Sequence, residues 1–295
     1  MSRLLHPKTL MAIKDLPLAA KTVIDGFMAG INKSNVKGTG IEFSQYRSYQ
    51  PGDDLRWLDW KMYARSDRYY IRESEMETSI SVKFLIDATS SMNHSDSSIT
   101  KIEYARYIAA SLAYLAHLQG DSIGLYVFKE NELFSLISRK EPQHLTRFYY
   151  KLEQITPEGK FTNAIHYKHL FTGERKKELL VFISDFYEER TEISDLLHML
   201  SSLRHEIIAF HLMGENELTM NYTGYTTLRD FETGKTVDIN SDESKLLYTQ
   251  RLENYLSSIR MKLLDKQIFY RMINMSQTMD EVLRDFLNQR QKSFL

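Results

Sequence analysis

From about residue 80 onward, apolar and polar positions alternate between two periods. Short, nearly continuous apolar runs occur at residues 81–87, Ser122 to Phe128, Glu178 to Ser184 and Glu206 to Leu212. Each has the length expected of a strand, and Glu178 to Ser184 reads as a parallel strand buried on both faces. Between the runs, apolar residues recur at helical spacing. Thr100-Lys101-Ile102-Glu103 is a capping box that predicts a helix through about Leu118, with Ile102, Ala105, Ile108, Ala109, Leu112 and Leu115 on one side and Gly120 ending it. Further helices are predicted over His144 to Ile155, Thr162 to Phe171, Ile193 to Leu203 and about Asp242 to Leu264, with strands over Leu133 to Ile137 and Ile268 to Ile273. Leu228 to Ile239 reads as a hairpin around Glu232-Thr233-Gly234-Lys235. A second capping box, Thr278-Met279-Asp280-Glu281, opens a last helix that ends in Arg290-Gln291-Lys292. Strands separated by helices predict an α/β protein with a doubly wound, mostly parallel sheet of Rossmann type.

Residues 1–79 differ in texture. An amphipathic helical stretch over 8–30 ends near Gly30, and the turn-rich Lys37-Gly38-Thr39-Gly40 follows. Next comes a charged and aromatic block from Arg47 to Trp60 that continues through Ala64-Arg65 to Arg72, Glu73, Glu75 and Glu77. Pro51-Gly52 suits the centre of a type II turn, because Pro fixes φ and Gly accepts a positive φ. Arg47, Arg56 and Arg65 among Asp53, Asp54 and Asp59 predict an internally paired ion network. Such networks more often fix geometry than do chemistry. The block, including Tyr49 and Trp60, is therefore read as a brace for the N-terminal segment, with a docking surface as the competing reading. The expected division is a small N-terminal extension, helical and then irregular or β, over 1–79, and one larger domain over 80–295.

Composition removes several classes of function. The 295 residues are 42% hydrophobic, ample for a packed core. A net charge of −1 argues against non-specific nucleic-acid binding, which needs a basic face. The absence of cysteine excludes disulfides, thiolate zinc and cysteine nucleophiles. No apolar stretch reaches the roughly 18 residues of a membrane span, and Arg3, His6, Pro7, Lys8 and Lys14 interrupt any signal-peptide core. The expected setting is the cytoplasm. No Gly-x-x-x-x-Gly-Lys-[Ser/Thr] loop is present, so ATP hydrolysis by this chain is not expected.

The candidate chemistry lies at strand ends. Asp87, Thr89 and Ser91 follow the first buried run, Thr162 lies in Gly159-Lys160-Phe161-Thr162-Asn163, and Asp185 closes the run Leu179 to Ser184. Hydroxyl and carboxylate oxygens are what a small hard cation such as Mg²⁺ or Mn²⁺ prefers. Open α/β sheets bind ligands beyond the carboxyl ends of their strands. An Asp-x-[Ser/Thr]-x-Ser string alone arises by chance in roughly one chain in ten of this length; its order with the later Thr and Asp is what carries weight. Two carboxylates leave such a site short of ligand charge, so weak binding and an open position for an external acidic group are expected.

This arrangement resembles the metal-ion-dependent adhesion site of von Willebrand factor A domains, in which Asp-x-Ser-x-Ser, a Thr and an Asp come from three loops. The match falls on Asp87, Thr89, Ser91, Thr162 and Asp185. Thr89 keeps the hydroxyl of the usual Ser, and Gly-Lys-Phe-Thr replaces the commoner Gly-Gly-Thr. The N-terminal block resembles the bacterial domain-of-unknown-function 58 family. The carrying residues are Gly40-Ile41-Glu42-Phe43; Arg47, Tyr49, Pro51-Gly52-Asp53-Asp54, Arg56, Leu58-Asp59-Trp60 and Ala64-Arg65; then Arg72-Glu73, Glu75 and Glu77, with Leu58 where Ile is usual. That resemblance implies a von Willebrand A-like domain after the block. It also implies an adaptor or co-chaperone-like role beside a MoxR-type AAA+ ATPase or one of its clients, with Mg²⁺ (or Mn²⁺ or Ca²⁺) receiving a partner's Glu or Asp. The alternative from another class is a Mg²⁺-dependent phosphohydrolase with Asp87 as nucleophile; Thr89 stands where such enzymes carry their general acid.

Overall fold

The computed structural model describes residues 7, 10, 15–33, 45–50, 58, 60–66, 68–73, 79–130, 132–161, 168, 170–171, 177–220, 222, 224–284 and 287. Helix α1 (Leu16–Lys33) is capped by Asp15, whose Oδ1 accepts from the Leu18 amide at 2.9 Å. It buries Ala19, Ala20, Val23, Ile24 and Phe27, the i, i+4 stripe that its periodicity predicts. The expected helix over 8–30 is therefore interrupted at Asp15, where a capping side chain and Pro17 in the first turn set a new start.

Two compact units emerge, one of residues 30–79 and one of residues 1–29 with 80–295. Residues 1–29 thus group with the large domain, whereas sequence texture alone placed them with the extension. In the small unit, β1 (Gln45–Ser48) precedes α2 (Trp60–Ser66), and β2 (Tyr70–Glu73) pairs antiparallel with β1, setting Arg47 opposite Ile71. Tyr63 stacks on Tyr69 at 4.5 Å, with Tyr49 and Trp60 edge-on to the pair. Trp60 and Arg65 are exposed. Asp53, Asp54, Arg56 and Asp59, with which the ion network was expected, lie outside the described residues, as do Glu75 and Glu77.

The large unit is built on a six-stranded sheet. Its strands are β3 (Ser81–Asp87), β6 (Ser122–Lys129), β7 (Glu132–Arg139), β8 (Leu179–Ser184), β9 (Glu206–Met213) and β12 (Phe269–Asn274). β4 (Ser95–Asp96) and β5 (Ile99–Thr100) form a tight hairpin after β3, with Ser97 and Ser98 both at positive φ. In space the order is β12-β9-β8-β3-β6-β7, parallel throughout except for β7, which returns antiparallel on β6. This is the doubly wound, mostly parallel sheet expected. The chain runs outward from β3 to β6 and β7, then crosses back to β8 on the other side of β3. The strand order therefore reverses between β3 and β8, where a crevice opens at the carboxyl ends.

Helices fill both faces. α3 (Lys101–Leu118) starts from the expected capping box: Thr100 Oγ1 accepts from the Glu103 amide and Glu103 answers the Thr100 amide at 2.9 Å. α4 (Pro142–Glu153) begins two residues before the expected His144, because Pro142 takes the first helical position. α5 (Glu192–Ser202) places Leu196, Leu197 and Leu200 against Phe182 and Ala209 in the core. α6 (Glu215–Thr219) is one short turn after β9. β10 (Tyr225–Arg229) and β11 (Thr236–Asn240) form the expected hairpin, and α7 (Ser241–Asp265) follows, contributing Leu263 to the same core. Residues 279–284 are helical, but the second capping box does not form: Thr278 Oγ1 is buried without a hydrogen-bond partner. Most of the helix expected over Thr162 to Phe171 lies outside the described residues. Among the described residues, no helix is long and apolar enough to cross a membrane.

Candidate metal centre at the strand switch point

Asp87 is the last residue of β3, and Asp185 follows the last residue of β8. The two strands are direct neighbours, pairing Ile86 with Ile183, so both carboxylates open onto the crevice between them. Asp87 is fully buried. Its Oδ1 accepts from the Thr89 amide at 3.0 Å and its Oδ2 from Ser184 Oγ at 2.6 Å. The loop after β3 turns at once into a single 3₁₀ turn over Ser90–Asn93, which returns Ser91 to the crevice. Thr89 Oγ1 and Ser91 Oγ are 3.0 Å apart, and Ser91 Oγ donates to Asp185 Oδ1 at 3.0 Å. Both hydroxyls keep lone pairs for anything placed between the carboxylates.

The third loop also arrives here. Ser90 donates its amide to the Gly159 carbonyl at 2.9 Å, and Glu158 donates its amide to the Ala88 carbonyl at 3.0 Å. Thr162, three residues after Gly159 in the sequence, falls outside the described residues. Four of the five expected oxygen-bearing residues are thus brought together.

Sequence reasoning missed four neighbours. Lys101, at the first position of α3, is almost wholly buried and donates to Asp185 Oδ2 at 3.0 Å and Glu217 Oε1 at 2.7 Å. Ser184 links Asp87 to the backbone, since its Oγ also accepts the Phe186 amide at 2.8 Å. His211 on β9 hydrogen-bonds the Asp185 backbone and stands 2.8 Å from the Tyr270 hydroxyl. Glu232, at the tip of the β10–β11 hairpin, comes within the field of Asp87 and Asp185 and beside the Thr89 hydroxyl. Phe186 holds φ at 56°, an uncommon conformation for a non-glycine residue, fixed by its contacts with His211 and Tyr270 and by the Tyr255 hydroxyl on its carbonyl.

The charges are not equivalent. Burial, then the charge of Asp185, pushes the Asp87 carboxyl up to about 7, against the hydrogen bonds from Ser184 and Thr89. Burial acts in the same direction on Asp185, but the Lys101 ammonium overrides it and holds that carboxyl below the ordinary range. Burial pushes His211 down to about 3, so it is neutral. Glu232 is pushed up to about 7, first by burial and then by Asp87. His94 turns to Asn216 at 3.1 Å, not to Ser91, so no serine–histidine pair forms.

The donor set fits a hard divalent cation: carboxylates and hydroxyls, with an amine kept to one side. Among the described residues no three His, Cys, Asp or Glu side chains form a metal-holding group by themselves, so a cation here depends on the hydroxyls. A cavity of about 880 Å³ opens beside Ser91, Lys101 and Asp185, and Leu228, Phe231 and Tyr248 line its far wall.

Fold and site together define an α/β protein with a hydroxyl–carboxylate cluster at the switch point of its sheet. The chain belongs to the family described as Protein of unknown function DUF58, which matches residues 45–252. It is 25% identical over 239 residues to an uncharacterized protein of Mycobacterium tuberculosis, covering 80% of this chain and 75% of that one, and equally to one of Mycobacterium bovis. Among solved structures it is similar to the conserved hypothetical protein BatB from Bacteroides thetaiotaomicron (TM-score 0.46, 14% identity, 72% of this chain and 99% of that chain). It is also similar to the SpRpn10 VWA domain (TM-score 0.41, 12% identity, 70% of this chain and 95% of that chain).

Proposed function

We propose that this protein is a non-enzymatic interaction module, a cytoplasmic adaptor that grips an acidic residue of a partner protein through a divalent cation. Asp87, Thr89, Ser91, Asp185 and Thr162 would hold Mg²⁺, or Mn²⁺ or Ca²⁺ in its place, directly or through water. The cation supplies positive charge on which a carboxylate from outside can close. The family resemblance makes a MoxR-type AAA+ ATPase or one of its clients the partner. The observation that carries the reading is the convergence of Asp87, Thr89, Ser91 and Asp185 in one relay at the switch point, with hydroxyl lone pairs left over. Exposed apolar side chains on the adjoining hairpin, Tyr225 and Val237 above all, supply surface for a protein partner. The phosphohydrolase reading has less support: both Asp87 oxygens already accept short hydrogen bonds in full burial, a poor state for a nucleophile.

The test is capture of the MoxR-type ATPase by wild type and Asp87→Ala, each with Mg²⁺ or EDTA, after circular dichroism has shown that both fold. Capture only by wild type with Mg²⁺ is expected. Equal capture under all four conditions refutes metal gating and moves the interface to the Arg47–Glu77 block.

A further inference from the structure

The tip of the β10–β11 hairpin, Asp230-Phe231-Glu232-Thr233-Gly234-Lys235, is braced from within. Asp230 Oδ1 accepts the Glu232 and Thr233 amides at 2.8 and 3.2 Å, and Oδ2 accepts the Thr233 hydroxyl at 2.6 Å. The Asp230 amide donates to the Lys235 carbonyl at 2.8 Å, and Gly234 supplies the positive φ that the turn needs. The turn is also tied to the site on two sides. The Tyr187 hydroxyl, two residues beyond Asp185, donates to Asp230 Oδ2 at 2.6 Å, and the Phe231 ring meets His94 edge-on at 6.3 Å.

Glu232 follows these two anchors directly, and its placement runs against ordinary preference. A glutamate at a hairpin tip normally points into water. Here one carboxylate oxygen, Oε1, is buried with no hydrogen-bond partner, and Asp87 and Asp185 both repel its charge. The Thr89 hydroxyl hydrogen-bonds the Glu232 carboxylate, but Oε1 is left without a donor. Glu232 Oε1 is therefore a buried acceptor with no donor, lying in the field of two further carboxylates. An orphaned acceptor beside like charges is a place that a cation would satisfy.

Resting on the metal reading above, we propose that Glu232 is a ligand of the same divalent cation, supplied in cis, at the position that a partner's carboxylate must take. The hairpin is then a built-in occupant of the adhesion position. Partner binding becomes an exchange of one carboxylate for another, with the hairpin tip lifting off. The third carboxylate also makes up the ligand charge that two aspartates lack, so the free protein retains its cation better than the five strand-end residues alone would allow.

Mn²⁺ titration of the full chain, read by the loss of free-ion electron paramagnetic resonance signal, separates the possibilities for wild type, Asp87→Asn and Glu232→Gln. Hydrogen exchange of residues 230–235 with and without Mn²⁺ supplies a second readout. Loss of binding in Asp87→Asn is expected, with roughly tenfold or greater weakening in Glu232→Gln, since even outer-shell losses cost about that much. Mn²⁺ should slow exchange at the tip in wild type and not in Glu232→Gln. Glu232→Asp, which keeps the charge but shortens the reach, should fall between the two. Unchanged Mn²⁺ affinity in Glu232→Gln, with binding still lost in Asp87→Asn, overturns the role of Glu232 and leaves the metal site standing. Absence of Mn²⁺ binding by wild type overturns both.

Discussion

Replacing Asp87 with Asn should stabilise the metal-free protein near pH 8, by an amount that shrinks to nothing at about pH 5. Asp87 is fully buried, and its carboxyl is raised from 3.8 to about 7 by burial and then by Asp185. Between about pH 4 and 7 the folded protein keeps a proton that the unfolded chain has released. The unfolded state then binds fewer protons, and stability falls as pH rises through that window. A shift of about three units at about 1.4 kcal/mol each gives a ceiling of ~4 kcal/mol above pH 7. Asn retains the acceptor for the Thr89 amide, while its NH₂ group meets Ser184 Oγ, which can accept it only by finding another place for its own proton. That rearrangement costs about 1 kcal/mol or somewhat more, leaving a net gain of about 2–3 kcal/mol. Thermal or urea unfolding in EDTA at pH 5, 6, 7 and 8 measures it. The curves of the two proteins should meet at pH 5 and separate progressively to pH 8, and Mg²⁺ should stabilise only wild type. Wild-type stability that is flat across this range, or an Asn variant less stable at pH 8, would refute the electrostatic account of Asp87.

Two further perturbations probe the surroundings of the site. Lys101→Met leaves Asp185 buried without its cation and should cost about 3–5 kcal/mol at neutral pH in EDTA; a melting temperature equal to wild type would show that Lys101 does not neutralise the crevice. Asp230→Ala removes the acceptor for four donors at the hairpin tip, so limited proteolysis at 230–235 should accelerate while global unfolding changes little. Those hydrogen bonds hold the Asp230 carboxyl at about 2 although burial opposes them, so the brace is complete above about pH 4 and lost only as pH falls through about 2. Protection of the wild-type tip that disappears already at pH 5 would contradict it.

What the sequence made legible was local. Buried parallel strands announce themselves as unbroken apolar runs, and Asp87, Thr89 and Ser91 follow one such run within five residues, so the loop and its place at a strand end could be read together. The Thr100–Glu103 capping box is likewise a four-residue signal. The Thr278–Glu281 string has the same letters, yet tertiary burial leaves its hydroxyl without a partner. The missed residues reach the site from afar. Glu232 and Asp87 are brought together only by the fold, and a Glu in a polar turn carries no mark of burial. Lys101 did leave a trace. A cation at the first position of a helix opposes the positive end of the helix dipole, and such local conflicts cluster where function or a buried partner overrides propensity.

The position of Lys101 bears on the proposed exchange of ligands in the crevice. On the proposed reading, a third carboxylate on the cation would slow its release, whereas partner binding requires that one ligand be exchanged for another. The ammonium lies between Asp185 and Glu217, 3.0 and 2.7 Å from their oxygens, and so stands outside the hydroxyl relay. From there it keeps Asp185 ionised while reducing the net negative charge that Asp87 and Glu232 present to the centre. It also joins the crevice to α6, because Glu217 accepts the Gly214 amide through its second oxygen at 2.7 Å and its carbonyl takes the Tyr248 hydroxyl of α7 at 2.6 Å. The chain that leads from α6 through the hairpin to α7 is thus bonded to the site at two points, Glu217 and Asp230, with Glu232 two residues beyond the second. A cation entering or leaving this crevice changes the charge balance at each of those attachments, and the hairpin tip, held by surface hydrogen bonds and not by core packing, is the part whose release costs least.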